Sequence, residues 1–418
     1  MTFATTLGQP LTLPCGVTLP NRFGKSAMSE TLGTIDNHAT RELVRLYKRW
    51  AEGGTGLVIT GNIMVDQRQL GEPHNVVVED ERDMPMLREW ARAGTHAGNQ
   101  LWVQLNHPGK QIPKMLATGD TLSPSAIPFG KALSPHFKKP RALTEAEILD
   151  IIQRFARTAS IVKAAGFTGV QIHGAHGYLV SQFLSGHHNQ RTDRWGGSLE
   201  NRMRFPLEIY RAIRAAVGPA YPISIKLNSA DFQRGGFTEE ESMTVAETLA
   251  NEGLDLLEIS GGTYESPKMA GQGIRESTQK REAYFLDYAE KIRARISIPL
   301  MVTGGFRTSE GMAAAVNSGA TDIVGVARPL ALEPDLPRRI LNGESVHSVV
   351  EPRRTGIKAI DDMAMMEVVW FARQLHRMGK GKEPRKNESV LGAFVRSLVM
   401  VGIRSSRTKR MKLRANSG

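Results

Sequence analysis

The segment from Gly169 to Arg204 reads GVQIHGAHGYLVSQFLSGHHNQRTDRWGGSLENRMR and decides the fold of this chain. It opens with a short apolar run that ends at Ile172, which is typical of a buried strand. His173 and His176 follow on the turn that leaves this strand, and Tyr178 comes just after them. Two imidazoles and a phenol at the exit of one strand form a compact set of hydrogen-bond donors. Their role depends on the strands that surround them.

The same alternation of strand and helix runs along most of the chain. A short apolar run that ends in Gly, Ser, Asn or His precedes an amphipathic helix, and the pattern then returns. The predicted strands are Arg22–Met28, Gly56–Gly61, Leu101–Asn106, Gly169–His173, Ile223–Asn228, Leu256–Ser260, Leu300–Gly304 and Asp322–Ala327. The predicted helices are Arg41–Ala51, Glu145–Ala165, Asn201–Val217, Glu239–Glu252, Leu286–Ile296 and Ser309–Asn317. Thr144 and Glu147 form a capping box at the start of the second helix.

Eight strand–helix units predict an α/β fold of the (β/α)8 TIM-barrel type. A doubly wound sheet would carry a glycine fingerprint after its first strand, and none occurs there. Three long connections, Pro108–Arg141, Gly177–Glu200 and Gly262–Tyr284, all follow strands. We therefore expect them on the face where barrels keep their active sites, as loops around a lidded pocket.

Both ends of the chain depart from this repeat. Leu11–Leu13 and Val17–Leu19, joined by a turn at Cys15-Gly16, predict an N-terminal β-hairpin. After Asn342 the repeat stops, so we predict a barrel domain over residues 1–345 and a C-terminal extension over 346–418. The extension should contain a helix at 361–377, a charged linker and a basic amphipathic tail at 390–414.

Composition limits the class of protein. The 418 residues contain 40% hydrophobic residues and a single cysteine, which excludes a disulfide framework or a cysteine-held metal cluster within one chain. No secretory signal and no run of about 18 apolar residues is present, so we expect a cytoplasmic protein. The net charge is +12, and residues 380–418 contribute +9 of it. The basic character belongs to the tail.

The residues at the strand ends narrow the chemistry. In chain order they are Ser29, Gly61, Gln104 with His107, His173 with His176, Lys226, Ser260 with Gly261, Gly304 with Gly305, and Ala327 with Arg328. Carboxylates are nearly absent from this set. A metal-dependent hydrolase or a glycosidase would need them, so both classes are disfavoured.

The remaining groups suit a phosphorylated planar cofactor. Gly304 and Gly305 let backbone N–H groups approach a phosphate, and Arg328 adds positive charge. Gln104 offers a donor and an acceptor to the edge of a heterocycle, and Lys226 would stabilise negative charge on a bound ring. For His107 the sequence leaves two roles open, which are a contact with substrate and a hydrogen bond within its own loop.

These motifs resemble the flavin-dependent ene-reductases of the old yellow enzyme family, also called NADH:flavin oxidoreductases. The resemblance covers roughly Thr12 to Ile340, and His173–Phe205 is its most specific part. The other matching segments are LPNRFGKSAMS at Leu19–Ser29, GGTGLVITG at Gly53–Gly61, LWVQLNHPGK at Leu101–Lys110, and VTGGF with SGATDIVGVARPLALEPDLP within Val302–Pro337.

The resemblance implies an FMN bound non-covalently in the barrel mouth, with NAD(P)H as the reducing co-substrate. The implied cofactor-binding residues are Ser26, Ala27, Met28, Ser29, Gly61, Gln104, Lys226, Gly304, Gly305, Ala327 and Arg328. Three positions depart from the family pattern: Lys226 stands where Arg is common, Ser29 where Thr or Cys is common, and Thr31 where one branch has a substrate-facing Tyr. Thr31 is therefore included among the implied substrate-binding residues.

The resemblance also implies a ping-pong reaction at one site. NAD(P)H reduces the flavin and leaves, and an α,β-unsaturated carbonyl or nitro compound then binds with its oxygen held by His173 and His176. Hydride passes from flavin N5 to the β-carbon, and Tyr178 protonates the α-carbon. Related barrels with an iron–sulfur cluster need a cysteine cluster that is missing here, and the dihydroorotate-oxidising type would lack the His173–Tyr178 set.

The expected partner is therefore a small enone-type molecule, and a homo-oligomer stays open. The alternative is a catalytically idle flavin barrel whose basic tail binds a membrane surface or a partner. For the tail itself we favour an arm packed on the barrel or on another subunit over contact with an anionic membrane. Nucleic acid is not expected, because the tail almost lacks the aromatic residues that stack on bases.

Overall fold

The computed structural model describes residues 1–261, 285–355, 357 and 365–393, and beyond those only residues 395, 396, 399, 402, 403 and 406. Eight parallel strands form one sheet that closes on itself, because the first strand pairs with both the second and the eighth. These strands are β1 Phe23–Lys25, β2 Leu57–Met64, β3 Gln100–Asn106, β4 Gly169–Gly174, β5 Ile223–Asn228, β6 Leu256–Ser260, β7 Leu300–Thr303 and β8 Ile323–Val326. The predicted (β/α)8 barrel is confirmed.

A short helix precedes the barrel strands, and at least one helix follows each strand. The helices are α1 Phe3–Leu7, α2 Arg41–Glu52, α3 Met84–Thr95, α4 Glu145–Ala164, α5 Leu179–Leu184, α6 Leu199–Val217, α7 Glu239–Asn251, α8 Leu286–Arg293, α9 Ser309–Asn317, α10 Arg328–Leu332, α11 Leu336–Leu341 and α12 Met365–Gly379. Thr144 caps α4 and Glu147 returns the bond, so the predicted capping box is present.

The N-terminal hairpin closes the bottom of the barrel. Leu11–Thr12 and Thr18–Leu19 pair antiparallel, as predicted. Leu13 and Leu19 from this hairpin form one apolar cluster with buried side chains at the start of the barrel strands, which are Leu57, Ile59, Trp102, Leu256, Met301 and Ile323. The lower layer of the barrel interior is therefore apolar and solid.

The layer above it is polar. Side chains along a strand alternate between the two faces, so Leu256, Glu258 and Ser260 of β6 share the inward face. The same alternation leads from Trp102 to Gln104 on β3. Polar groups thus begin halfway up the barrel and continue to the carboxyl ends of the strands. That is the face on which a barrel presents its site.

The loop Pro108–Arg141 has no helix in it and follows β3, as predicted. It contains one short strand at Leu122–Ser123, which pairs with Arg141–Ala142. Another two-residue strand, Val76–Val77, pairs parallel with the end of β2. The predicted loop Gly262–Tyr284 lies outside the described residues.

The helix α12 of the C-terminal extension lies against the barrel. It is described from Met365 to Gly379, two residues past the predicted end at 377, and the predicted residues 361–364 lie outside the described part of the chain. The Arg45 Nε of α2 donates to the Gly379 carbonyl at 2.6 Å. Residues after it fold back, because the Glu388 carboxylate accepts from Gln374 at 2.9 Å and pairs with Arg373. The boundary between residues 345 and 346 stays a prediction. Within the described part of the chain, no helix combines the length and apolar character that a membrane span needs.

Candidate active site

A cavity of about 250 Å³ lies at the carboxyl ends of the strands. Side chains from α12, including Phe371 and Leu375, cover one side of it. Nine residues predicted from the sequence line this cavity: Ala27, Met28, Ser29, His176, Lys226, Gly304, Gly305, Ala327 and Arg328. The fold therefore brings together residues from β1, β4, β5, β7 and β8 or from the turns that follow them.

One end of the cavity is formed by backbone and a guanidinium group. Gly304 and Gly305 have φ angles of +114° and +97°, a conformation that favours glycine. Because β7 and β8 are neighbours, these glycines lie beside Ala327 and Arg328. The Arg328 Nη1 atom is 2.9 Å from Oε2 of Glu367 on α12, so the arginine is held by a carboxylate from the C-terminal helix. The sequence did not suggest this contact.

The His173–Tyr178 set forms a hydrogen-bonded chain at the mouth of the barrel. His173 Nε2 lies 3.2 Å from His176 Nδ1, and His173 Nδ1 lies 2.8 Å from Asn62 Oδ1. The Nδ2 group of Asn62 donates to the Tyr178 hydroxyl at 3.5 Å. At the other end, His176 Nε2 lies 2.8 Å from the hydroxyl of Ser260. Asn62 and Ser260 thus join the three predicted residues.

Both imidazoles are neutral at physiological pH. Burial lowers the pKa of His173 well below its usual value, and it lowers the pKa of His176 to about 3, helped by the nearby Lys226 ammonium. A neutral imidazole has one donor and one acceptor nitrogen. Because Asn62 donates through Nδ2, its Oδ1 accepts from His173 Nδ1. His173 Nε2 must then accept from His176, which in turn accepts from the hydroxyl of Ser260.

A second polar network lies just below this chain. Gln104 Nε2 donates to Gln171 Oε1 at 2.8 Å, and Gln171 Nε2 donates to Glu258 Oε2 at 2.8 Å. The other oxygen of Glu258 is 3.0 Å from Lys226 Nζ. Gln104 and Lys226 are the predicted cofactor contacts, whereas Gln171 and Glu258 were not predicted. A charged residue in the middle of the apolar strand β6 was the signal that could have revealed Glu258.

The remaining predicted residues lie around this core. The N–H of Gly61 donates to Glu30 Oε1 at 2.9 Å, and a Cβ at this position would come within 2.0 Å of the same carboxylate. Ser26 Oγ lies 2.7 Å from Thr303 Oγ1. Ser29 donates to Glu72 Oε1 at 2.7 Å, and burial raises the pKa of that carboxyl group.

Two further residues considered from the sequence, Thr31 and His107, form hydrogen bonds with neighbouring parts of the protein. Thr31 Oγ1 lies 3.1 Å from Nε2 of His376 on α12, and Thr31 is not among the residues that line the cavity. Its predicted contact with substrate stays a prediction. His107 Nδ1 accepts from the Gly109 N–H at 3.1 Å, so the loop contact is the one formed here.

The donors around the cavity fit a phosphorylated flavin. Gly304, Gly305 and Arg328 supply backbone N–H groups and a fixed positive charge at one end, which suits a phosphate. Lys226 lines the same cavity, and the barrel interior behind it supplies the Gln104 amide, which suits a polar ring edge. Ala27 and Met28 provide an apolar wall between these ends.

Comparison with known proteins agrees with this fit. The model of the NADH:flavin oxidoreductase / NADH oxidase family matches residues 6–346. The NADH-dependent flavin oxidoreductase iliE of Hypocrea jecorina is 38% identical over 360 residues, which cover 81% of this chain and 89% of that protein. The NADH-dependent flavin oxidoreductase iccE of Talaromyces variabilis is 34% identical over 409 residues, or 90% of this chain and 98% of that protein.

Solved structures show the same architecture. Morphinone reductase superposes with a TM-score of 0.67 at 25% identity, and the match covers 84% of this chain and 92% of that enzyme. The barrel, the donor set around its mouth and the sequence matches agree with one another. The chain therefore belongs to the NADH:flavin oxidoreductase / NADH oxidase family, and it is an FMN-dependent oxidoreductase of the old yellow enzyme type that uses a nicotinamide co-substrate.

Proposed function

We propose that this protein uses NAD(P)H to reduce the activated C=C bond of α,β-unsaturated carbonyl or nitro compounds. The observation that carries the proposal is the buried chain of neutral donors formed by His173, His176 and Tyr178 at the barrel mouth. Neutral imidazoles can donate to an oxygen atom that gains negative charge in the transition state. A tyrosine hydroxyl beside them provides a proton donor.

The cofactor would be held by the two ends of the cavity. Gly304, Gly305 and Arg328 would bind its phosphate, while Gln104 and Lys226 would contact the polar edge of its ring. FMN, when bound, supplies the hydride carrier that nicotinamide and substrate use in turn.

His176 would make the first contact with the substrate oxygen. Of the three predicted residues His173, His176 and Tyr178, it is the one that lines the cavity. Its Nδ1–H is directed to His173 and its Nε2 accepts from Ser260. A carbonyl oxygen can only accept, so His176 must turn an N–H toward it and give up one of these contacts. The hydrogen bonds that link His176 to His173 and His173 to Asn62 would then readjust in turn.

Tyr178 would donate the proton to the α-carbon. Its ring lies 4.7 Å from that of His173, measured between centroids, and its oxygen accepts from Asn62 Nδ2. The tyrosine proton is not used in that contact. Asn62 thus links the two parts of the chemistry, because it touches both His173, the hydrogen-bond partner of His176, and the phenol that donates the proton.

Paired kinetics test these roles. Tyr178→Phe should lower enone reduction about 100-fold, the usual size of a lost general acid. The same variant should keep its NADH:ferricyanide activity, since ferricyanide accepts electrons without protonation of carbon. His173→Ala should raise KM for the enone and lower kcat. If both variants reduced enones at the wild-type rate with FMN bound, the assignment would be wrong.

The visible spectrum separates this proposal from a catalytically idle barrel. The purified protein should show a flavin band that bleaches under anaerobic NADH or NADPH and returns when an enone is added. Steady-state rates with both nucleotides and a panel of enones, maleimides and nitro compounds would then define the substrate class. A flavin band that neither nucleotide bleaches would favour the scaffold alternative.

A further inference from the structure

Glu258 is a carboxylate inside the barrel that the proposed reaction does not use. It is fully buried on β6, and its Cα is in register with that of Lys226 on β5. Its Oε1 atom lies 3.0 Å from Lys226 Nζ and accepts from the hydroxyl of Thr303 at 2.7 Å. Its Oε2 atom accepts from Gln171 Nε2 at 2.8 Å. Both oxygens therefore have partners, as a buried carboxylate requires.

The carboxylate fixes the direction of the bonds that reach Gln104. An ionised carboxylate can only accept, so Gln171 must turn its amide nitrogen toward Glu258. The Gln171 oxygen then faces Gln104 and accepts from its Nε2 at 2.8 Å. The amide of Gln104 is thereby held in one of its two orientations. A residue on β6 thus sets the orientation of a side chain on β3.

The same carboxylate also offsets the charge of Lys226. Both side chains are buried, with 3% and 0% of their surfaces exposed, so solvent screens their interaction little. The pair carries no net charge. A lysine without this partner would stabilise negative charge on a bound ring more strongly than the paired lysine does.

We propose that Glu258 is a positioning residue that orients Gln104 and Lys226 and lowers the reduction potential of the bound flavin. It acts through these two side chains. The inference rests on the proposed placement of Gln104 and Lys226 at the flavin ring. A lower potential makes the reduced cofactor a stronger hydride donor toward the substrate.

Potentiometry of the FMN-loaded variants tests the proposal. Glu258→Gln keeps the shape of the side chain and removes its charge, so the reduced flavin should bind at least tenfold more tightly relative to the oxidised flavin. For a two-electron couple this corresponds to a rise in midpoint potential of about 30 mV. Titration of FMN into the apoprotein gives a second readout, because a freely turning Gln104 should weaken the binding of the oxidised cofactor.

Asp255→Asn is the matched control. Asp255 is buried directly before β6 and pairs with Arg214 at the opposite end of the barrel. Its loss should lower thermal stability and leave the midpoint potential unchanged. A potential shift as large as that of Glu258→Gln would show a general effect of barrel loosening and would overturn the proposal.

Two Lys226 variants keep the test decisive even if Glu258→Gln fails to fold. Lys226→Met alone should lower the potential, because it leaves the carboxylate uncompensated. Lys226→Met combined with Glu258→Gln should return it toward the wild-type value. Equal potentials in these two variants, both different from wild type, would overturn the role of Glu258. If Lys226→Met left both FMN affinity and potential unchanged, the placement of Lys226 at the ring would be the part that is wrong.

Discussion

At the scale of single residues, the two imidazoles of the site make stability depend on pH. Burial holds the pKa of His176 at about 3 and that of His173 well below its usual value. In the unfolded chain an imidazole has a pKa of about 6.5, so below that pH the unfolded state binds more protons than the folded state. The contribution of neutral, buried His176 to the free energy of unfolding is therefore fully present above about pH 6.5, and it is lost as the pH falls toward about 3.

Urea unfolding of flavin-saturated protein at about pH 7.5 and about pH 5 measures this dependence. Through His176 alone the free energy of unfolding should fall by about 2 kcal/mol between the two pH values. His176→Asn should therefore lose about 2 kcal/mol less than wild type over the same range. His187→Asn, a change at an exposed imidazole in the following loop, should behave as wild type. Equal losses in wild type and His176→Asn would contradict the prediction.

A second prediction concerns the buried charge pair beside Gly61. The Lys25 ammonium is fully buried between β1 and α2, where burial lowers its pKa to about 8. Its Nζ donates to the Ile59 carbonyl at 2.7 Å and lies 4.0 Å from Glu30 Oε1.

Lys25→Met leaves the Glu30 carboxylate without its cation and should lower the free energy of unfolding by about 3 kcal/mol. The double variant with Glu30→Gln should cost less than the two single changes together, by more than about 1 kcal/mol. Additive losses in urea unfolding would show that the two charges do not interact.

At the scale of single residues, the sequence could predict which side chains lie together where several of them leave one strand. His173, His176 and Tyr178 share the exit of β4, so their proximity follows from chain order alone. Glu258 could not be placed in the same way, because its partners come from other strands and only the barrel register joins them. Asn62 was missed for a related reason. β2 continues past the predicted end at Gly61, with a register shift between Ile59 and Asn62 that turns the asparagine toward the site.

At the scale of elements, apolar periodicity predicted all eight barrel strands. These strands are buried on both faces, so each is a compact apolar run that stands out from the polar helices. The helix α3 was missed, because its buried side chains Leu87, Trp90 and Ala91 are few and its start has no side-chain cap. The contact of α12 with the cavity was also beyond prediction, since it joins positions far apart in the chain.

That contact leads to a prediction about cofactor affinity. Glu367 of α12 holds Arg328, the proposed phosphate ligand, at 2.9 Å, and both side chains are about one-fifth exposed. A carboxylate beside a phosphate site repels the incoming anion. Glu367→Gln should therefore tighten FMN binding to the apoprotein about threefold, in keeping with the modest strength of a partly exposed ion pair. Quenching of FMN fluorescence during titration measures the change.

Glu383→Gln is the control for this element. Glu383 lies in the same C-terminal extension as Glu367, pairs with Arg49 of α2 and is mostly exposed. Its loss should therefore leave FMN affinity unchanged. Weaker binding in Glu367→Gln would reverse the interpretation. It would mean that the glutamate holds Arg328 in the position from which it meets the phosphate.

At the scale of the whole molecule, charge and exposed apolar surface concentrate in one part of the chain. Residues 380–418 carry +9 of the net +12, which leaves the other 379 residues at only +3. Leu391, Val395, Val399 and Ile403 recur every fourth residue, and each is at least 42% exposed. Apolar side chains at this spacing share one side of a helix. The segment before the tail packs on α12 through Glu388, whereas these four side chains face outward.

This distribution predicts that the tail, not the barrel, carries any adhesion to anionic surfaces. Each Lys or Arg near such a surface contributes about 1 kcal/mol, and salt screens the attraction. Full-length protein should pellet with vesicles rich in phosphatidylserine at low salt, and about 0.5 M salt should release it. A version that ends at Ala393 keeps Glu388 and its contacts with α12 but loses seven basic residues. It should pellet at least tenfold less, while neither form should pellet with neutral vesicles. Because the two forms share the whole barrel, equal pelleting would place the contact on the barrel surface and leave the tail as an arm packed against protein.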